Sequence, residues 1–138
     1  MVAITGSVRA GMQVAESASR QVKRVHLELG GKAPVVVFED ADIPAAAEWL
    51  AMAGYFNAGQ DCTAATRCYI DQAVFDAAVV ELAAVMTAIK VGSPEDESTD
   101  IGPLISEAHR ARVQAFVDEA RARGATIHAG GRSVPGDG

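Results

Sequence analysis

Cysteine, histidine and aromatic residues are all sparse in this chain, and each scarcity removes a class of protein. Only Cys62 and Cys68 occur among 138 residues. Two are too few for a disulfide framework, and the five residues between them fit neither a CxxC redox pair nor a zinc knuckle. His26, His109 and His128 are scattered, with no two at ligand spacing. That argues against a metal site and leaves each as a surface or packing histidine. Aromatics make up 5% of the sequence, the formal net charge is −6, and no basic stripe interleaves with rings. A nucleic-acid partner is therefore not expected. No apolar run approaches the roughly 18 residues that span a bilayer, and the N-terminus lacks a charged region followed by a hydrophobic stretch. The expectation is a soluble, cytoplasmic chain with no membrane partner. Internal repeats and low-complexity tracts are missing as well.

What the chain does have is a 49% hydrophobic content in alternating strand-like and helix-like segments, enough for one globular unit with a core. Met1-Val2-Ala3-Ile4 is β-prone, Thr5-Gly6-Ser7 breaks it, and a helical run follows through Val8, Met12, Ala15 and Ala18. A strand, tight turn and helix in that order aim free N–H groups and the positive end of the helix dipole at whatever lies above, which suits a phosphate. Ser is equally an ordinary helix N-cap with no ligand present. Gln21 to Leu29 reads as a second strand whose apolar character is interrupted by Glu28. A carboxylate there either faces solvent or sits in a cleft as a base, and Gly30-Gly31 marks a bend where something approaches closely.

Further on, Pro34 to Phe38 reads as a fully apolar buried strand, with Asp40 and Asp42 as N-cap candidates for the helix that follows. Ile43 to about Asn57 reads as a well-buried alanine-rich helix, with Trp49 and Tyr55 read as core-packing rather than substrate-facing aromatics. Arg67 to Asp71 returns as a strand holding Cys68 as a small core residue. Val74, Phe75, Ala78, Val79, Leu82, Val85, Met86 and Ile89 form one helical stripe. An acidic, solvated loop covers 92–100, and Ser106 caps a helix that turns Val113, Phe116, Val117 and Ala120 inward and ends near Gly124. Ala125 to Ala129 reads as one more strand, and the glycine-rich stretch from Gly130 as a loose terminus. Such alternation implies an α/β layer architecture with a mostly parallel sheet.

Between the second helix and the following strand lies Phe56-Asn57-Ala58-Gly59-Gln60-Asp61-Cys62-Thr63, a glycine-containing loop that presents Cys62. Residue chemistry alone leaves Cys62 open as either a structural cysteine or a nucleophile flanked by exposed N–H groups. Taken with Leu27-Glu28-Leu29-Gly30-Gly31-Lys32, and with Thr5-Gly6-Ser7 and Gly11 upstream, the Gly59-Gln60-Asp61-Cys62 segment resembles the catalytic core of the aldehyde dehydrogenase superfamily. Glu28 and Cys62 stand 34 positions apart in sequence (28 to 62), as that family's catalytic pair does. The likeness runs from residue 1 to about 130, with Ile4 where the family has phenylalanine.

The resemblance implies an aldehyde-dehydrogenase-like fold, with 1–30 the end of a Rossmann-like NAD(P)-binding domain and 31–138 the first part of the catalytic domain. It implies Cys62 as the nucleophile, Glu28 as the general base, and NAD or NADP as cofactor. Gly6, Ser7 and Gly11 would contact the pyrophosphate, and the Leu29 main chain would neighbour the nicotinamide; Lys32 reads as structural. The implied substrate is a small-molecule aldehyde, with the closest likeness to 4-aminobutyraldehyde and other aminoaldehyde dehydrogenases, and Asp61 placed to attract an ammonium group. Family members are longer, so the adenosine-holding strands and lysine, the oxyanion-hole asparagine and the ribose-binding glutamate have no counterpart here. The first strand begins at Met1, as in a truncated or split reading frame. A homo-oligomer, or dependence on the missing parts of the fold, is expected. Two other classes compete. A non-catalytic fragment or subunit-interaction piece would leave apolar sheet faces uncovered. A thiol-redox protein would cycle Cys62 and Cys68 through a disulfide and give Glu28 and Thr5-Gly6-Ser7 no role.

Overall fold

A computed structural model describes residues 1–134. Its elements form two β-α-β units in succession, each closing on a pair of parallel strands. The first unit runs β1 (Val2–Gly6), α1 (Val8–Ser19), β2 (Val25–Leu29), with Val2 opposite Val25 and Gly6 opposite Leu29. Parallel strands cannot be joined by a hairpin, so the chain crosses over through a helix that packs back on the sheet. Gly11, Val14, Ala15 and Ala18 supply the covered face of α1 at helical spacing, with Gly11 and Ala18 buried. Ser7 caps the helix by accepting from the Ala10 N–H at 3.2 Å.

The end of α1 explains why the second strand is shorter than the expected Gln21 to Leu29. The Lys23 N–H donates to the Ala18 carbonyl at 3.1 Å and the Val22 N–H to the Ser19 carbonyl at 3.0 Å. This is the Schellman pattern, which requires a left-handed residue after the helix. Val22 occupies it at φ 54°, a conformation that β-branched residues strongly disfavour. Its side chain is 93% exposed, so no packing compensates for the strain.

The second unit runs β3 (Ala33–Val37), α2 (Ile43–Tyr55), β4 (Ala65–Ile70), with Val35 opposite Cys68 and Val37 opposite Ile70. The register shifts between Ala33 and Pro34, an irregularity that suits a residue without an N–H. Asp42 caps α2, its Oδ1 accepting from the Ala45 N–H at 3.1 Å. Helix α3 (Phe75–Ala88) lies against α2. Small residues permit the close approach: the buried apolar residues are Ala18, Val37, Ala47, Leu50, Ala51, Ala64 and Ala78. Residues 90–101 close on themselves through a parallel bridge between Val91 and Ile101, with the Lys90 N–H donating to Asp100 Oδ2 at 2.8 Å. Helix α4 (Glu107–Ala122) starts at Ser106, which accepts from the His109 N–H at 3.2 Å. Arg121 Nη2 donates to the Gly131 carbonyl at 2.7 Å and ties the segment after α4 back to the helix.

Several expectations are corrected here. Pro34 to Phe38 is not fully buried: Val35 and Val37 turn inward while Val36 and Phe38 are exposed, because only one face of the two-stranded sheet is covered. Helix α2 buries Ala47, Leu50 and Ala51 but leaves Trp49, Met52 and Tyr55 exposed. Cys68 is exposed rather than a core residue. Val113 and Phe116 on α4 are exposed, with Val117 and Ala120 only half-buried. Ala125 to Ala129 forms no strand, since no neighbouring strand offers a ladder among the described residues. The loose terminus expected from Gly130 extends into 135–138, which lie outside the described residues.

Replacing Val22 with glycine removes a left-handed strain of roughly 1–2 kcal/mol at a smaller entropic cost, for a net gain of about 1 kcal/mol. Val22→Gly is expected to raise the midpoint of chemical denaturation, and an unchanged or lower midpoint refutes this reading of the turn.

Candidate active site

Cys62 is held at the tip of a loop built from two successive turns. Helix α2 stops at Tyr55, and Asn57, Ala58 and Gly59 follow in left-handed conformations at φ 52°, 56° and 74°. For the alanine this costs about 1 kcal/mol or more. The reversal is locked by paired amides: Asn57 Nδ2 donates to the Gln60 carbonyl and Gln60 Nε2 to the Asn57 carbonyl, each at 3.2 Å. Next, Asp61 Oδ1 accepts from the Thr63 N–H at 2.7 Å and from the Thr63 hydroxyl at 2.8 Å, an Asx-turn that straddles Cys62. Ala64 anchors the far side in the core. Cys62 itself stays exposed, and its N–H takes no protein acceptor among the described residues.

Asp61 has its carboxyl held below the ordinary range, first by the Thr63 N–H, then by the Thr63 hydroxyl, with a smaller part from the Cys62 thiol. A depressed carboxylate stabilises the fold above its unfolded value. The stability it contributes is therefore present at neutral pH and is lost as pH falls through the depressed value.

Glu28 arrives from the other unit. It stands opposite Thr5 near the carboxyl ends of β1 and β2, and the Gly30 N–H donates to the Gly6 carbonyl at 3.3 Å. The Gly30-Gly31 bend then passes under the cysteine loop: a Cβ at Gly31 would lie 3.5 Å from the Cys62 carbonyl oxygen, while Gly30 faces open space. Arg67 on β4 fixes the exit of the bend, its Nε donating to the Lys32 carbonyl at 2.9 Å while its guanidinium lies 5.8 Å from the centre of the Tyr69 ring. Thr5, Gly6, Glu28, Leu29, Asp61 and Cys62 thereby border one cleft of about 460 Å³. An adjoining, mostly apolar cleft of about 540 Å³ lies beyond Phe56 and Asn57, between the end of α2, α3 and Ile101.

The remaining expected residues divide. Gly6 and Leu29 border the cleft, whereas Ser7 and Gly11 do not. Gly11 is buried with Leu29 packed against it; an added Cβ there would sit 2.7 Å from a Leu29 methyl. Its place in the fold is thus to seat Leu29. At the start of α1 the Val8 and Arg9 N–H groups take no protein acceptor among the described residues. That donor set fits a cofactor phosphate. The histidine reading missed one contact: His26 Nε2 lies 2.8 Å from Glu28 Oε1. Strand alternation offered the signal, since residues two apart share a face.

Comparison with known proteins bears on what this arrangement is. The model of the aldehyde dehydrogenase family matches residues 1–138. This chain belongs to the aldehyde dehydrogenase family. Betaine aldehyde dehydrogenase 2 of Rhizobium meliloti (strain 1021) is 42% identical over 134 residues, covering 97% of the chain and 28% of the relative. Glutarate-semialdehyde dehydrogenase of Pseudomonas putida is 39% identical over 136 residues, covering 99% and 28%. Among solved structures, betaine aldehyde dehydrogenase from Staphylococcus aureus in complex with NAD+ superposes with a TM-score of 0.92 at 36% identity, covering 99% of this chain and 27% of that one. The chain thus spans about 28% of the length of the curated relatives it matches. The aldehyde dehydrogenase fold, with its parallel strands and mixed helices, is the one seen here. Among the described residues, no helix is long and apolar enough to cross a membrane.

The two thiols of this family member differ in surroundings. Cys68 is exposed at its surface, but partial desolvation of the sulfur pushes its thiol up and lowers its thiolate fraction. Iodoacetamide near neutral pH is expected to alkylate Cys62 ahead of Cys68, with the difference closing as pH rises through the raised Cys68 value. Peptide mapping that finds Cys68 modified first contradicts the placement of the two thiols.

Proposed function

We propose that this site carries the NAD(P)-dependent oxidation of an aldehyde to its carboxylic acid. The observation that supports the reading most is that Cys62 and Glu28, from separate β-α-β units, border one cleft beside the free N–H groups of α1. In this reading Cys62 gives up its thiol proton to solvent and its sulfur attacks the aldehyde carbon, whose C=O π bond opens onto the oxygen. The unpartnered Cys62 N–H donates to the developing oxyanion, a contribution of roughly 3 kcal/mol to the transition state. Gly6, Leu29 and the first N–H groups of α1 hold the cofactor, with Ser7 shaping that end and Gly11 seating Leu29. The cofactor, when bound, supplies the hydride acceptor that converts the cysteine adduct to a thioester. Glu28 then takes a proton from water, the water oxygen bonds to the thioester carbon, and Cys62 departs as thiolate. The two strand pairs separate near residue 30, which supports 1–30 as cofactor-domain tail and 31–138 as part of the catalytic domain.

The substrate we favour is an aminoaldehyde such as 4-aminobutanal. The Asp61 carboxylate stands next to the nucleophile with Oδ1 engaged by Thr63, and charge there attracts an ammonium group. A betaine aldehyde dehydrogenase among the relatives is consistent with a cationic substrate, while the glutarate-semialdehyde enzyme shows that the family also serves acids. The expected setting is the cytoplasm, as a homo-oligomer.

A second reading is a non-catalytic piece that acts inside a larger assembly. It is favoured by the exposure of Trp49, Phe38, Phe56, Phe116 and Ile105 around a core made mostly of alanine.

The test is NADH formation by the purified chain with 4-aminobutanal and with butanal. Cys62→Ala is expected to abolish it, and Asp61→Asn to reduce the preference for the amino substrate about fivefold. Turnover that survives Cys62→Ala refutes the nucleophile, and an unchanged preference refutes the role of Asp61. A folded chain that turns over neither substrate favours the second reading.

A further inference from the structure

The steps above leave one neighbour of Glu28 unused. His26 Nε2 lies 2.8 Å from Glu28 Oε1, and both side chains are 61% exposed. Alternation puts them on one face of β2, where their partners on β1 are Ala3 and Thr5, neither of which carries charge. Leu29, on the opposite face, packs against Gly11 of α1. At this distance a protonated imidazole ring and the carboxylate form a salt bridge. The contact therefore occupies Oε1 and leaves Oε2 without a protein partner among the described residues.

We propose that His26 is the positioning residue of the general base: it engages Glu28 Oε1 so that Oε2 is the oxygen left for the attacking water. The proposal rests on Glu28 as the base of thioester hydrolysis. In that step a water O–H bond breaks towards Oε2, the water oxygen bonds to the acyl carbon, the carbon–sulfur bond breaks, and the electron pair stays on Cys62. No oxidant or reductant is needed, so the step is separable from cofactor chemistry. An exposed pair is weak, and the expected effect is correspondingly modest, about threefold in rate, against about 100-fold for loss of the base itself.

The experiment acetylates the chain with p-nitrophenyl acetate and follows the acetyl group on Cys62 by peptide mass spectrometry, in the unaltered protein and in Glu28→Gln, His26→Ala and His26→Gln. The proposal expects His26→Ala and His26→Gln to match the unaltered protein in acetylation rate and in thermal midpoint. Decay of the acetyl group should be slowed strongly by Glu28→Gln and about threefold by His26→Ala. His26→Gln, which keeps a donor of similar reach, should restore decay. If Cys62 takes no acetyl group, or Glu28→Gln leaves decay unchanged, the reading of the nucleophile or of the base fails, and the proposal with it. If Glu28→Gln slows decay but His26→Ala does not, the proposal alone is overturned. It is equally overturned if His26→Ala slows acetylation and decay alike, or if His26→Gln is as slow as His26→Ala.

Discussion

The close passage of the Gly30-Gly31 bend beneath the Cys62 carbonyl is the constraint on which the candidate site depends. The two β-α-β units each close their own parallel strand pair, and nothing in either pairing alone brings a carboxylate to a thiol. A Cβ at Gly31 would meet the Cys62 carbonyl oxygen at 3.5 Å, which sets how near the bend runs to the cysteine loop. Arg67 reinforces the join from β4 by binding the Lys32 carbonyl, so the exit of the bend is fixed to the strand that follows the cysteine loop. Glu28 enters the cleft from one side of this join and Cys62 from the other.

Local strain is concentrated where the nucleophile is presented. Three consecutive left-handed residues, two of them not glycine, reverse the chain between α2 and the cysteine loop. They persist because the Asn57 and Gln60 amides hold each other's carbonyls and because Asp61 organises the residues around Cys62. The result is a short, hydrogen-bonded pedestal that keeps the sulfur exposed without burying polar groups. Val22 is strained in the same sense, but it merely ends α1 and supports no site, which separates a structural cost from a functional one.

Much of this was legible in the sequence because the decisive signals are local. Ser7, Asp42 and Ser106 announced three helix starts by their capping chemistry, and the 74–89 stripe announced α3 by its spacing. The motifs around Glu28 and Cys62 carried the family. What sequence could not supply was the depth of burial. Pro34 to Phe38 and Cys68 belong to a two-stranded sheet covered on one face, and Trp49 and Phe116 to helix faces that nothing covers among the described residues, so apolar composition does not place them inside. Ala125 to Ala129 has strand-like residues and no partner strand, so propensity alone did not make a ladder. The role of Gly11 was also hidden, since a glycine that seats a leucine and a glycine that admits a phosphate look alike in sequence. His26 went unread because its meaning lies in the face it shares with Glu28.

The most direct measurement is of the join itself. In a protein carrying Glu28→Cys together with Cys68→Ala, a short bismaleimide should bridge positions 28 and 62 within one molecule, detected as a linked peptide pair from monomeric protein. Single adducts alone, or bridges found only between molecules, would show that the two units do not share a cleft and would contradict the site described above.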